Sequence, residues 1–231
     1  MNTAIIVAGG SGTRMGAPTD KLFLEVGGRP LVAYTWERFE RCSAIDEIVI
    51  VVRSGMNEAY SKLAAKDGFT KPFRFATGGK ERQDSVWNGL EAVSPKTEIV
   101  VIQDAARPCT PEPLIVETIR AARGTGAAVA ARRITDTIKE SENGEVVSRT
   151  LDRNRLWTVQ TPQTFQIEVI RRALAAVRKA GQIVTDDTAA CELVGQPVRL
   201  VESHEPNPKL TRPEDLPHIE FLLKKRMAAS S

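Results

Sequence analysis

A chain of 231 residues is long enough to bury one substantial core, and an α/β protein of this size is expected to form a single domain over residues 1–231. Its 32 basic residues against 29 acidic ones leave a net charge of only +3, a balance that gives no support to nucleic-acid binding. Three widely spaced cysteines, Cys42, Cys109 and Cys191, oppose a disulfide framework and a CxxC metal site; MNTAIIVAGG has neither the basic flank of a signal peptide nor the length of a membrane span, so the cytoplasm is the expected compartment, with no membrane partner.

Residues 4–21, AIIVAGGSGTRMGAPTDK, take a short apolar strand into a glycine-rich turn that carries Arg14 and ends at Lys21. Glycines at 9, 10 and 12 let backbone N–H groups face an anion closely, while the arginine adds a planar fork and the lysine a point charge. The pattern suits a polyphosphate. A Walker A loop fails on spacing, because Ala17 and Pro18 follow Gly16, and a dinucleotide fingerprint fails because Met15 holds its third glycine position.

Further apolar runs at residues 47–52, 74–77, 99–102 and 127–131 alternate with helical patterns. Such alternation predicts a mainly parallel, twisted sheet with helices on both faces, with ligands gathered at the carboxyl ends of the strands. The glycine turn, GGKERQDS at 78–85 and QDAARP at 103–108 all fall on that edge. Gly78 and Gly79 permit backbone contact with a flat ring, and Ser85 offers a hydroxyl to a base edge, although an ordinary helix start would use the same residues. Asp104 at a strand end could serve as a simple cap; its place opposite the glycine turn favours a role in holding Mg²⁺.

From about 133 to 152 the pattern turns polar and alternating around Asn143-Gly144, a hairpin signal. With little apolar surface of its own, this segment is expected to project as a β-arm, either packing on a partner subunit or standing as a surface hairpin without one. A strand near 157–161, helices near 166–180 and 186–194, a strand at 198–202 and a closing helix from Pro213 follow. His204 and His218 have no companions at ligand spacing.

Taken in order, AGGSGTRMG with Lys21, GGKERQDSV, DAARP, ITDTIK, LDRNRLWTVQTPQTF, TDDTAA and KLTRPEDL resemble the cytidylyltransferases that act on 2-C-methyl-D-erythritol 4-phosphate. The resemblance covers nearly the whole chain and implies a Rossmann-like nucleotidyltransferase fold. It implies that CTP and the polyol phosphate react to give CDP-methylerythritol and pyrophosphate in non-mevalonate isoprenoid synthesis. On it, Arg14 and Lys21 would stabilise the transition state, and Arg153 and Lys209 would position the acceptor's phosphate. Ala8, Gly9 and Gly10 would touch the nucleotide, Gly79, Lys80 and Ser85 would read cytosine, and Ala105 would lie against the ribose. Asp104 would bind Mg²⁺, and Arg107, Thr137, Thr161 and Thr185 would complete the sugar-phosphate site.

The resemblance also implies a homodimer joined by the arm, with Thr137 and Arg153 given in trans. The chain departs from some members at Pro206-Asn207-Pro208-Lys209, where they carry an acidic residue before Asn-Ile-Lys, and at Asp20, where a proline often precedes the lysine. Two rivals are a ribitol 5-phosphate cytidylyltransferase on the same scaffold and a CTP-binding module without turnover. The separate cations Arg153 and Lys209 argue against the second, which has no use for a second anionic substrate.

Overall fold

A computed structural model describes residues 1–10 and 21–229. The first βα unit is β1 (Asn2–Val7), a small hairpin of β2 (Glu25–Val26) and β3 (Arg29–Pro30), and helix α1 (Leu31–Arg41). Two more units follow, β4 (Glu47–Val52) with α2 (Asn57–Asp67) and β5 (Phe73–Thr77) with α3 (Arg82–Ala92). Next come β6 (Ile99–Asp104), α4 (Glu112–Thr125) and β7 (Ala127–Arg133), then two short strands, β8 (Lys139–Glu140) and β9 (Arg149–Thr150). The last elements are β10 (Trp157–Gln166), α5 (Ile167–Ala180), α6 (Asp187–Leu193), β11 (Arg199–Glu202) and α7 (Leu216–Ala229).

Seven strands form one sheet in the order β11-β7-β10-β6-β1-β4-β5. All neighbours are parallel except those of β10, which runs antiparallel to β6 and β7. Alternation along the central strands divides the core into two layers. Ile48, Ile50 and Val52 join Ala4 and Ile6 under α1, α2 and α7, where Trp36, Phe39, Leu63 and Leu223 are buried. Val49 and Val51 join Ile5 on the other face, beneath Val86 and Leu90 of α3 and Ala173 and Val177 of α5. The central strands are covered on both sides, which is why they read as unbroken apolar runs.

The structure departs from the sequence expectation in three places. The strand expected at 157–161 runs on to Gln166, and its pairing with β7 shifts register between Val159 and Gln163. Pro162 lies inside that shift, so a residue that cannot donate to a ladder marks an irregularity within the strand and not its end. The β2–β3 hairpin lies outside the expected elements, although Gly27 and Gly28, at φ 59° and 75°, are a recognisable turn pair. The third difference lies at 139–150, where β8 and β9 share two rungs, Lys139 opposite Thr150 and Glu140 opposite Arg149.

Asn143-Gly144 therefore sits within the long loop joining those strands and not in a two-residue turn. The Asn143 side-chain oxygen accepts from the backbone N–H groups of Glu145 and Val146 at 3.0 and 3.1 Å, and this local capture competes with further pairing. Among the described residues no helix is long and apolar enough to cross a membrane.

Candidate active site

Three loops at the carboxyl edge are tied to the sheet by backbone bonds that extend the parallel ladder past the strand ends. Ala8 N–H donates to Val51 O at 2.8 Å, Gly78 N–H to Val52 O at 2.8 Å, and Ala105 N–H to Val7 O at 3.1 Å. The residues after β1, β5 and β6 thus leave the sheet side by side. A Cβ added to Gly9 would stand 2.9 Å from Gly78 Cα, and one added to Gly79 would stand 2.2 Å from Asp84 Cβ. Both distances lie inside van der Waals contact, so Gly9 meets the Gly78 turn, and Gly79 meets the first turn of α3, only without a side chain.

Helix α3 begins directly behind this contact. Glu81 and Asp84 form a reciprocal capping box that fixes the helix start. Ser85, only 3% exposed, accepts from Gly79 N–H at 3.0 Å and donates to Glu81 O at 3.3 Å. Its hydroxyl therefore holds the Gly78–Gly79 turn against the first turn of α3.

Asp104, the last residue of β6, faces a concentration of positive charge. Lys209 Nζ lies 2.7 Å from Asp104 Oδ2, Arg82 Nε 3.3 Å from Oδ1 and Arg107 Nε 3.7 Å from Oδ2. Burial by itself would push this carboxyl up, but Arg82, Lys209 and Arg107 overcome it and hold the group well below the usual carboxylate range. Arg82 also reaches Asp187 Oδ2 at 2.8 Å. Burial dominates at Asp187, whose other carboxylate oxygen has no hydrogen-bond partner, and pushes its pKa up despite Arg82. Arg82, held between two acids, keeps its proton more tightly than usual even though burial opposes the charge.

Lys21 opens a single 3-10 turn at Lys21–Phe23, and its Nζ donates to Leu210 O at 3.0 Å. Leu210 N–H in turn donates to Ala106 O at 2.9 Å, which draws the Lys209–Leu210 stretch across the end of β6. Ala8, Gly9, Gly10, Lys21, Gly79, Lys80, Ser85, Asp104, Ala105 and Lys209 thereby line one cleft. Arg107 and Thr161 stand just behind it; the Thr161 hydroxyl accepts from Asp104 N–H at 3.1 Å.

Besides Arg107 and Thr161, three further expected residues are not brought to the cleft lining. Thr137, Arg153 and Thr185 are exposed, and Arg153 donates to Thr135 O at 2.6 Å. Arg14, with Gly12, Gly16 and Asp20, lies outside the described residues.

A family profile described as IspD, 2-C-methyl-D-erythritol 4-phosphate cytidylyltransferase, matches residues 2–225. A curated relative of that name from Geobacillus kaustophilus is 44% identical over 97% of this chain and 98% of its own. The chain belongs to this family. Among solved structures, a 4-diphosphocytidyl-2C-methyl-D-erythritol synthase from Anaerococcus prevotii superposes with a TM-score of 0.85 at 30% identity, covering 96% of this chain and 98% of the other. The cytidylyltransferase from Thermus thermophilus gives 0.80 at 32% identity over 97% and 100%.

For this member of the cytidylyltransferase family, sequence reasoning overlooks Arg82 and Asp187. Arg82 carries a signal: it opens α3, where a cation opposes the helix dipole, so it needs acidic partners from elsewhere. Asp187 carries none beyond its place beside Asp186, since the burial that matters comes from tertiary packing. As for a metal, the described residues contain no group of three or more His, Cys, Asp or Glu side chains able to hold one. Asp104 presents an ionised carboxylate to the cleft, which fits an ion that brings phosphate oxygens and waters as its remaining ligands. Lys209 shares the same carboxylate and would compete with that ion.

Proposed function

We propose that this cytidylyltransferase transfers CMP from CTP to the phosphate of 2-C-methyl-D-erythritol 4-phosphate, releasing pyrophosphate. The observation that carries the proposal is the meeting of the Gly9, Gly79 and Ser85 turns with Lys21, Asp104 and Lys209 in one cleft, in a chain of this family. In this reading the glycine turns and Ser85 hold the base by shape and by backbone polar groups. Purines are rejected because they overfill the turn and leave its polar groups unpaired.

An oxygen of the acceptor's phosphate monoester forms the new bond to the α-phosphorus, while the bond to the β-phosphate oxygen breaks and pyrophosphate leaves with its electron pair. The attacking oxygen is already ionised, so no general base is required. What remains is alignment and charge stabilisation. Lys21 and Arg14 neutralise charge on the reacting phosphoryl group, and Lys209, with Arg107, Thr161 and Thr185, orients the acceptor. Asp104 would hold Mg²⁺, which when bound supplies further neutralisation of the triphosphate.

The proposal includes a homodimer in which the arm carries Thr137 and Arg153 into the neighbour's cleft. Its support is the absence of these residues from their own cleft lining and the exposure of Val146 and Val147, 67% and 56%. Work in the cytoplasm is part of the same proposal. It is supported by three free, buried cysteines, a thiol usage that suits a reducing compartment.

The test is pyrophosphate release from CTP with a panel of polyol phosphates that includes ribitol 5-phosphate, run with Mg²⁺ and with excess EDTA. The proposal expects turnover with methylerythritol phosphate, loss in EDTA and recovery on adding Mg²⁺. Preference for ribitol 5-phosphate would reassign the acceptor; full activity in EDTA would remove the metal; and CTP binding without turnover on any acceptor would leave a binding module.

A further inference from the structure

Two residues before Lys209 stands a buried residue with no assigned role. Asn207 is 2% exposed and lies between Pro206 and Pro208, neither of which has a backbone N–H to anchor the segment. Its side-chain amide supplies the anchor. Nδ2 donates to Thr161 O at 2.8 Å and to Gln160 Oε1 at 3.2 Å, and Oδ1 accepts from the Thr110 hydroxyl at 3.0 Å. Its backbone oxygen accepts from Arg107 Nη1 at 2.7 Å. The amide orientation follows from these partners, since the reverse would set an oxygen against Thr161 O. The buried amide thus ties the Lys209 segment to β10 at Gln160 and Thr161 and to the turn after β6 at Thr110, and the backbone oxygen adds Arg107.

We infer that Asn207 is a positioning residue that fixes Lys209 against Asp104 and thereby sets the orientation of the acceptor's phosphate. The inference about the acceptor rests on the proposed function; the inference about Lys209 itself does not. Fully satisfied buried polar groups of this kind specify one arrangement, and removing one partner leaves the others unpaired.

The test joins two measurements on Asn207→Ala. The first is the rate at which an amine-acylating reagent labels Lys209, read by mass spectrometry on the free protein. Labelling should quicken several-fold, because Lys209 loses its fixed ion pair, whereas an unchanged rate overturns the inference whatever the protein's activity. The second is a double-mutant comparison. Asn207→Ala should lower kcat/KM for the acceptor by about 10–100-fold in the wild-type background and by less than about twofold in Lys209→Ala. CTP affinity by calorimetry should stay within about twofold.

Equal effects in both backgrounds, or a matching loss of CTP affinity, would mean that Asn207 only maintains the fold. Thr110→Ser and Thr110→Val give a second route should Asn207→Ala misfold. Serine keeps the hydroxyl and should preserve both readouts, while the isosteric valine should move both in the direction of Asn207→Ala; indistinguishable Ser and Val variants contradict the inference. Absence of turnover by the wild type on any acceptor would count against the proposed function and leave the labelling result to decide on Asn207.

Discussion

The base side of the cleft and the arm after β7 are opposites in packing: Gly9 and Gly78 approach too closely to admit a Cβ, whereas every residue from Ser141 to Thr150 is exposed. The first region is fixed by the sheet, because ladder bonds continue from β1 and β5 into the turns themselves. The second rests on two rungs, a largely exposed Glu140–Arg149 ion pair and bonds made by Ser141 and Asn143 side chains. A ladder this short has little stability of its own. The contrast teaches that the Gly9, Gly78 and Ser85 side of the cleft is held by the chain's own sheet and helix start, whereas the segment from Ser141 to Thr150 has only a short ladder and local side-chain bonds to hold it.

The largest expected effect falls on the rigid side. Lys21→Ala should leave CTP affinity within a few-fold of wild type while lowering kcat about 10²–10³-fold, the usual loss for one preorganised group that acts on transition-state charge. Lys21→Arg should restore little, since a planar fork does not replace a compact ammonium. Calorimetry with CTP and pyrophosphate release at saturation check both. Collapse of affinity with kcat preserved would make Lys21 a ground-state anchor.

Asp104→Asn comes next, because it leaves Arg82, Arg107 and Lys209 facing a neutral amide. Breaking a buried pair in this way costs about 3 kcal/mol at neutral pH. In the folded wild type the Asp104 carboxyl titrates below its ordinary value, so its stabilisation is complete above the unfolded pKa of about 4 and is lost as the pH falls toward the lowered folded value. The deficit of Asp104→Asn, measured by thermal denaturation, should therefore shrink as the pH drops below about 4. A deficit that stays constant to low pH would dissociate Asp104 from the charge network.

Gly79→Ala sharpens the steric half of the comparison. The added methyl meets Asp84, and relief of such a clash typically costs about 1–3 kcal/mol, or roughly tenfold to a hundredfold in CTP affinity if the turn yields. Unchanged CTP binding would show that this turn does not touch the nucleotide. The smallest effect on folding belongs to the arm: Val146→Asp with Val147→Asp should leave the melting temperature of the isolated chain almost unmoved. The same pair should shift the sedimentation profile from dimer to monomer, and a dimer that persists would place the subunit interface elsewhere.

Legibility in the sequence follows the same division. The alternation of β4 and β6 with their helices, and the glycine turns at 9–10 and 78–79, can be read because apolar periodicity and missing side chains are local properties. Asp104 can be placed at its strand end for the same reason. The Arg82–Asp187 pair cannot: its partners are 105 residues apart, and only tertiary packing buries them together. The passage of β10 through Pro162 is also hidden, since a proline usually argues against a strand interior and the sheet here absorbs it with a register shift. The anchoring of Lys209 by Asn207 depends on Thr110 and Thr161 from distant segments, and nothing in the run EPNPKL points to either.

The most direct test of whether the proposed dimer shares Arg153 between its subunits is complementation between two inactive chains. Lys21→Ala and Arg153→Ala proteins, each expected to turn over little, are mixed and allowed to exchange subunits, with dimer formation and exchange checked by mass spectrometry. If Arg153 is given in trans, each mixed dimer contains one site with both residues intact, and pyrophosphate release should recover to about a quarter of the wild-type rate. If exchange is complete and activity stays at the level of the separate variants, Arg153 acts within its own chain and the account of a shared site is wrong.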